Sequence, residues 1–139
     1  MTPTTAWTRP APEPTNFTRP FWDAANEGRL VIQYCRSAKK FQHYPRPVSI
    51  YTGGRDLEWR EVSGKGVVYT FTVTRRPPRG FGGPEPYAVA TVQLDEGVRF
   101  LSNIVNCPIE NIRIGMRVRV TWDRISPEFN YPVFEPDGR

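Results

Sequence analysis

The feature that most constrains this chain is a succession of short β-type segments that begins after Gly64. Residues Val67–Thr74 are all β-branched or aromatic, and this composition favours a strand. Four further segments of strand character follow, separated by turns and loops: Tyr87–Leu94, Val98–Val105, Met116–Trp122 and Tyr131–Phe134. With 15 prolines and 11 glycines in 139 residues, we expect short elements joined by turns and no long helix.

The order of these segments predicts a closed barrel. Asp95-Glu96-Gly97 is a typical hairpin turn between the second and third segments. Residues Pro108–Ile114 are predicted to form a single helical turn between the third and fourth. Five strands with a short helix after the third is the order of an OB fold. An open sheet of this size would leave aggregation-prone edges, so we expect residues 63–139 to close into a five-stranded OB barrel.

The first part of the chain is predicted to be a leader followed by a helical arm. Residues 1–17 are rich in proline and are expected to be flexible. Residues Thr18–Gly28 are predicted to form a short helix that places Phe21 and Trp22 on one face. These aromatic side chains need a receiving surface. The helix and an irregular insert are assigned to residues 18–62.

No set of catalytic residues is recognisable. His43 is the only histidine, so a histidine-dependent nucleophile would have to use it. Neither Cys35 nor Cys107 has the sequence setting of a nucleophile, and Gly80–Gly83 lacks the lysine of a phosphate-binding loop. We therefore predict no catalytic residues and no enzymatic activity for the chain on its own.

Composition indicates a cytoplasmic protein with an anionic partner. Residues 1–5 lack the start of a signal peptide, and no apolar run approaches the roughly 18 residues of a membrane span, so no membrane contact is expected. The net charge is +5, and 11 of the 19 basic but only 3 of the 14 acidic residues lie between Arg29 and Arg79. A basic half favours binding of nucleic acid or of a phosphorylated cofactor, and the alternative is a solvated face without a partner.

Several short motifs recur in an order and spacing typical of one protein family. They are Pro20-Phe21-Trp22, Glu27-Gly28-Arg29-Leu30, Gln33-Tyr34-Cys35, Pro45-Arg46-Pro47, Glu58-Trp59, Val62-Ser63-Gly64-Lys65-Gly66, Pro86-Tyr87-Ala88-Val89-Ala90, Leu94-Asp95-Glu96-Gly97, Leu101-Ser102-Asn103 and Ile114-Gly115-Met116-Arg117-Val118. Over roughly residues 18–136 the chain resembles the zinc-ribbon plus OB-fold proteins associated with thiolases and acyl-CoA hydratases. The resemblance implies a rubredoxin-like zinc-ribbon segment ahead of the barrel.

The zinc-ligand positions of that family are mostly not cysteine in this chain. Cys35 matches the first ligand, but the second falls on Ala38, the third on Ser49 and the fourth on Thr52. A structural zinc site needs four thiolate or imidazole ligands. We therefore expect a degenerate ribbon without metal, held together by packing of Phe41, Tyr44, Pro47, Ile50 and Tyr51.

The resemblance also implies a function. Family members are accessory subunits of thiolase-like or hydratase enzymes, and their OB barrel helps to bind the CoA part of acyl-CoA. No tightly bound cofactor is expected. Arginine pairs well with phosphate groups and an aromatic ring can stack on adenine. The candidate CoA-binding residues, all in the loop after the first barrel strand, are Arg75, Arg76, Arg79 and Phe81.

Two further hypotheses complete the sequence-based prediction. Phe21 and Trp22 are predicted to bind the partner subunit of a hetero-oligomer, because large aromatic residues are favoured as interface anchors. The alternative function is that of an OB-fold protein that binds single-stranded nucleic acid, which the basic charge favours. It fits less well because Tyr69 and Phe71 share one parity with Val67 and Val73, which is the pattern of a barrel core. The residues expected on the inner face of the barrel are Val67, Tyr69, Phe71, Val89 and Val118.

Overall fold

The computed structural model describes residues 9–76 and 86–138. These residues form one helix, eight strands and a single 3₁₀ turn. The elements are α1 Arg19–Asn26, β1 Val31–Cys35, β2 Lys40–Gln42, β3 Leu57–Glu61, β4 Lys65–Thr74, β5 Tyr87–Leu94, β6 Arg99–Ile104, the 3₁₀ turn Ile109–Asn111, β7 Arg117–Arg124 and β8 Asn130–Pro136.

Strands β4 to β8 form a closed barrel in the order β4-β5-β6-β8-β7. The barrel closes where Lys65–Val67 of β4 pair with Arg117–Arg119 of β7, and β6 meets β8 in parallel through Ile104 and Phe134. The 3₁₀ turn lies between the third and fourth barrel strands. The mainly β fold with a five-stranded OB barrel, predicted from the sequence, is therefore confirmed.

The inner face of the first barrel strand differs from the predicted one. Val67, Tyr69, Phe71, Val89 and Val118 were expected in the core, but Val68 is fully buried and Tyr69 is exposed. The β4–β5 register shifts between Val68 and Thr70, so Tyr69 is an extra residue in a bulge that reverses the alternation. Residues on β5 alternate accordingly, with Val89 only half-buried. Val118 is buried as predicted.

The segment before the barrel, which we call the ribbon, is a three-stranded sheet of β1, β2 and β3 with helix α1 packed against it. The sheet has the order β2-β1-β3 and is antiparallel. Helix α1 ends at Asn26 and is followed by Gly28, which has a φ of 77°. The amides of Gly28 and Arg29 donate to the carbonyls of Ala25 and Ala24. This is the usual glycine-dependent helix stop. The helix lies between β1 and β8 and thus joins the ribbon to the barrel.

One hydrophobic cluster runs through both parts of the chain. It contains Phe21 of the helix and Ile32 of the ribbon sheet together with Phe100 and Phe134 of the barrel. At the junction, a Cβ on Gly64 would collide with the Val120 side chain, so only glycine fits there. The domain boundaries assigned from sequence stay predictions.

The ribbon loop, which follows β2, is held mainly by hydrogen bonds of polar side chains. Gln42 and Gln33 are buried, and the Gln42 amide donates to Gln33 Oε1 at 2.8 Å. Gln33 accepts the backbone N–H of Arg46, and Gln42 accepts that of Ile50, both at 2.9 Å. Of the apolar packing expected there, Phe41 packs against Tyr34 and the core cluster. The other expected packing residues, Tyr44, Pro47, Ile50 and Tyr51, are all exposed. For them, the packing prediction is wrong.

Candidate functional site

A cavity of about 500 Å³ lies where the helix, the ribbon loop and the barrel meet. Its lining residues come mainly from strands β5, β6 and β8 and from the loop after β2. Seven of its fifteen lining residues have aromatic rings, namely Phe21, Trp22, His43, Tyr44, Tyr87, Phe100 and Tyr131. A mostly apolar concave site with a few polar groups is typical of a small-molecule pocket.

The wall between ribbon and barrel is a stack of rings. The His43 ring lies 4.6 Å from the Phe100 ring with 14° between the planes, and Phe21 stacks on Phe100 at 6.0 Å. Burial lowers the pKa of His43 from 6.5 to about 4, because desolvation penalises the charged imidazolium. At neutral pH, His43 is therefore an uncharged aromatic wall of the cavity.

The rim of the cavity carries a buried ion pair that sequence reasoning missed. Arg9 donates to Asp123 at 2.8 Å and to Asn103 at 2.9 Å, and its guanidinium lies 4.8 Å from the centre of the Tyr131 ring. The Tyr131 hydroxyl in turn donates to the carbonyl of Pro10. The proline-rich composition before the helix contains no signal for these contacts, since both partners lie more than 90 residues away.

The predicted CoA-binding loop begins beside this cavity. Thr74 pairs in register with Tyr87, which lines the cavity. Arg75 and Arg76 follow directly and are exposed. The other two predicted residues, Arg79 and Phe81, lie outside the described residues, and the CoA-binding role of the four residues stays a prediction.

The two predicted partner-binding residues are packed within the chain. Phe21 is only 6% exposed. Trp22 is half-buried, with its ring edge-on to Phe129 at 5.9 Å and 5.4 Å from Tyr131. The end of their helix is held by Arg124, which donates to the backbone carbonyl of Asn26 at 2.8 Å. Their role in binding a partner stays a prediction.

The former zinc-ligand positions form a small polar cluster. The buried Cys35 thiol lies 3.6 Å from the Ser37 hydroxyl, and its pKa is lowered chiefly by a hydrogen bond with Ser49. Ser49 Oγ accepts the backbone N–H groups of Tyr51 and Thr52 at 3.0 and 3.3 Å. Asp56 accepts the N–H of Ser37 at 2.8 Å. Together these contacts connect the two turns that a metal would otherwise bridge.

The described residues contain no cluster of three His, Cys, Asp or Glu side chains that could hold a metal ion. The one described helix has eight residues, and no helix in this part of the chain is long and apolar enough to cross a membrane.

Two domain families match the chain in the order that the fold shows. Residues 22–48 match the family described as "ChsH2, rubredoxin-like zinc ribbon domain". Residues 59–123 match "ChsH2, C-terminal OB-fold domain". The first match covers the helix and ribbon loop around the cavity, and the second covers most of the barrel.

Relatives include subunits and scaffolds. The chain is 40% identical to the "Probable enoyl-CoA hydratase alpha subunit" of Thermomonospora curvata over 92% of its own length and 40% of that relative. It is also 40% identical to the "DUF35 domain-containing scaffold protein" of Pyrococcus furiosus, over 67% of the chain and 64% of the relative. The chain thus spans less than two thirds of these curated relatives.

Solved structures agree with these matches. The chain superposes on a chain of the "Ltp2-ChsH2(DUF35) aldolase" with a TM-score of 0.83 and 36% identity, covering 91% of this chain and 98% of that one. A DUF35 protein from Sulfolobus solfataricus shares the fold, with a TM-score of 0.63 and 12% identity, covering 88% of this chain and 86% of that one. The chain therefore belongs to the ChsH2 family of DUF35 proteins, with a zinc-ribbon-type segment followed by an OB-fold domain.

Proposed function

We propose that this chain is a non-catalytic accessory subunit of an acyl-CoA-processing enzyme, either a hydratase or a thiolase-like enzyme. The observation that carries the proposal is its likeness to a chain of the Ltp2-ChsH2(DUF35) aldolase, since 98% of that chain is covered at 36% identity. Relatives named as hydratase alpha subunits or scaffold proteins support the same role. The uncharged, ring-stacked state of the chain's single histidine also favours a partner role over catalysis.

In this proposal, the chain also contributes to binding the CoA part of the substrate. The aromatic cavity offers apolar surface to the thioester arm or the adenine ring. Arg75 and Arg76 begin the loop next to Tyr87 at the cavity wall. They would meet phosphate groups through paired, charge-assisted hydrogen bonds.

The accessory role is tested by co-expression with a thiolase-like or hydratase subunit from a neighbouring reading frame, with the Ltp2 aldolase subunit as a second candidate. We expect the affinity-tagged chain to retain one of these subunits through size-exclusion chromatography. The purified chain alone should show no hydratase, thiolase or aldolase turnover. Elution of the chain as a free protein in every combination would refute the role.

The CoA contribution is tested by isothermal titration of acyl-CoA into the reconstituted complex. The double variant Arg75→Ala/Arg76→Ala should weaken binding about tenfold or more, because each charge-assisted hydrogen bond contributes about 1.5–3 kcal/mol. Arg36→Ala/Arg55→Ala is the matched control, since it removes the same charge from exposed positions on the ribbon. Equal affinities of the two double variants would place the CoA contacts elsewhere.

A further inference from the structure

The exposed apolar side chains of the chain are concentrated on one face. Of seven large hydrophobic side chains that are exposed among the described residues, only Phe17 and Ile114 lie elsewhere. We name the other five the ribbon–barrel face: Tyr44, Ile50, Tyr51, Tyr69 and Leu101. Four of them line a second, open cavity of about 590 Å³, and Arg99 of the same lining lies over the Tyr69 ring. Exposed apolar side chains grouped around one open cavity mark an interaction surface.

Two cations flank the apolar side chains of this face. The Lys40 ammonium lies 5.2 Å from the centre of the Tyr51 ring, and the Arg99 guanidinium lies 3.7 Å from that of Tyr69. Neither cation is in a salt bridge with another described residue. No Asp or Glu of the described chain lines the second cavity. The face is therefore apolar and positively charged, and it complements a surface that carries carboxylates.

The arrangement of side chains favours a protein as the occupant. Ile50 and Leu101 are 54% and 55% exposed, the highest values on the face. Aliphatic side chains offer no ring on which a base can stack, and the rings of Tyr51 and Tyr69 are already covered by the two cations. Stacking is the main sequence-independent contact to single-stranded nucleic acid. A second copy of this chain would bring two positively charged faces together. Both considerations point to a different protein with an acidic rim.

We propose that the ribbon–barrel face is the docking surface for the acyl-CoA enzyme subunit, and that this subunit presents apolar side chains flanked by carboxylates. This inference rests on the proposed function, which supplies the partner. His43, Tyr44 and Leu101 line both cavities, so a docked subunit borders the candidate CoA site. The face is a different surface from the helix residues Phe21 and Trp22, which pack within the chain.

The test compares two sets of surface variants in binding to the co-purified subunit, measured by biolayer interferometry. Ile50→Ser/Leu101→Ser removes the two most exposed apolar side chains of the face. Ile114→Ser is the matched control, since Ile114 is 69% exposed outside the face. We expect the double variant to raise the Kd at least tenfold and the control to change it less than twofold. Circular dichroism should show both variants folded.

A charge variant gives an independent readout. Lys40→Gln/Arg99→Gln should weaken binding and also reduce its dependence on salt concentration, because the two cations would no longer meet the partner's carboxylates. A structural defect alone would not change the salt dependence. If the serine double variant fails to fold, the salt dependence of the charge variant still tests whether the ribbon–barrel face is the docking surface.

The outcomes separate this inference from the proposed function. If no thiolase-like, hydratase or Ltp2 subunit binds the wild-type chain, the proposed function fails. If the wild type binds but the face variants bind equally well, the inference is overturned while the proposed function stands. Tighter binding to single-stranded DNA than to the subunit, or self-association that the serine variant abolishes without changing subunit binding, would also overturn it.

Discussion

The ribbon and the barrel of this chain are stabilised in different ways. In the barrel, the most buried side chains are apolar, such as Val68, Val92 and Phe134. In the ribbon, the polar side chains of Gln33, Gln42 and Ser49 are buried as well, and the hydrogen bonds of the two glutamines join β1 and β2 to the loop after β2. The buried polar residues of the barrel, Asn103, Asp123 and Asn130, instead bind residues that precede β1. A segment of the ribbon's size cannot bury enough apolar area to fix its loops. We infer that side-chain hydrogen bonds fix the loops of this ribbon, a role that the metal has in a complete zinc ribbon.

This difference has a consequence for substitutions. Apolar packing tolerates changes of shape that preserve volume, whereas a buried polar network requires each partner to be present. The barrel should therefore be sensitive mainly to lost volume, and the ribbon mainly to lost hydrogen bonds. The following changes test that contrast.

The largest effect is expected from Phe134→Ala in the barrel. Phe134 is fully buried in the shared core and lies 6.0 Å from the Phe100 ring. Removing its ring should cost about 3–5 kcal/mol of unfolding free energy through lost burial and a residual cavity. Urea titration measures this loss, with the exposed Ile114→Ala as control. A loss below 1 kcal/mol would mean that Phe134 is not a central core residue.

The next effect is a pH dependence at the contact between the two regions. His43 is neutral in both states above pH 6.5. Below pH 6.5, His43 becomes protonated in the unfolded chain, whereas in the folded chain its lowered pKa keeps it neutral until about pH 4. Stability should therefore fall as the pH drops through this window, by up to about 3 kcal/mol from this group. In His43→Phe, the difference in stability between pH 7 and pH 4.5 should be smaller than in wild type, and an equal difference would contradict the assignment.

A smaller effect is expected from Gln42→Leu in the ribbon. The substitution preserves volume, but it leaves the Ile50 N–H without an acceptor and removes one of the two donors to Gln33 Oε1. The free energy of unfolding of the ribbon should fall by about 2 kcal/mol. Relative to wild type, amide hydrogen exchange should become faster in β1 and β2 and change less in the barrel. Gln93→Leu on the outer barrel surface is the control and should change little. Similar effects of both substitutions would remove the proposed contrast between the regions.

The smallest effect is expected from metal removal. With Ala38, Ser49 and Thr52 at three ligand positions, we expect well below one zinc per purified chain and no change in Tm on addition of EDTA. Ala38→Cys/Ser49→Cys/Thr52→Cys is the positive control, in which bound zinc and an EDTA-sensitive Tm are expected. Stoichiometric zinc that survives dialysis of the wild type would show that other ligands exist.

The barrel could be predicted from sequence because its strands carry a local signal. Runs such as Tyr87–Leu94 alternate between buried and half-buried residues as a strand should. The bulge at Tyr69 could not be predicted, because a single extra residue leaves the composition of the strand unchanged while reversing which side chains face inwards.

The site could be predicted only in part. The cavity lies next to the start of the arginine-bearing loop, since Thr74 pairs with Tyr87 of the cavity, but the CoA-binding role of that loop stays a prediction. The stack of His43 on Phe100 and the Arg9–Asp123 pair join residues that are far apart in the chain. Such contacts depend on how the ribbon sits against the barrel. From the sequence, Gln33 and Gln42 would be taken for exposed polar residues, because their burial also depends on tertiary contacts.

Reconstituted turnover tests the central claim most directly. The partner acyl-CoA subunit is held at constant concentration and titrated with this chain, while turnover of acyl-CoA is followed. An accessory subunit should raise or stabilise the partner's activity until the two are present in a fixed stoichiometric ratio, and the chain alone should show none. Turnover by the chain alone, or a partner activity that does not respond to the chain at any ratio, would contradict the account.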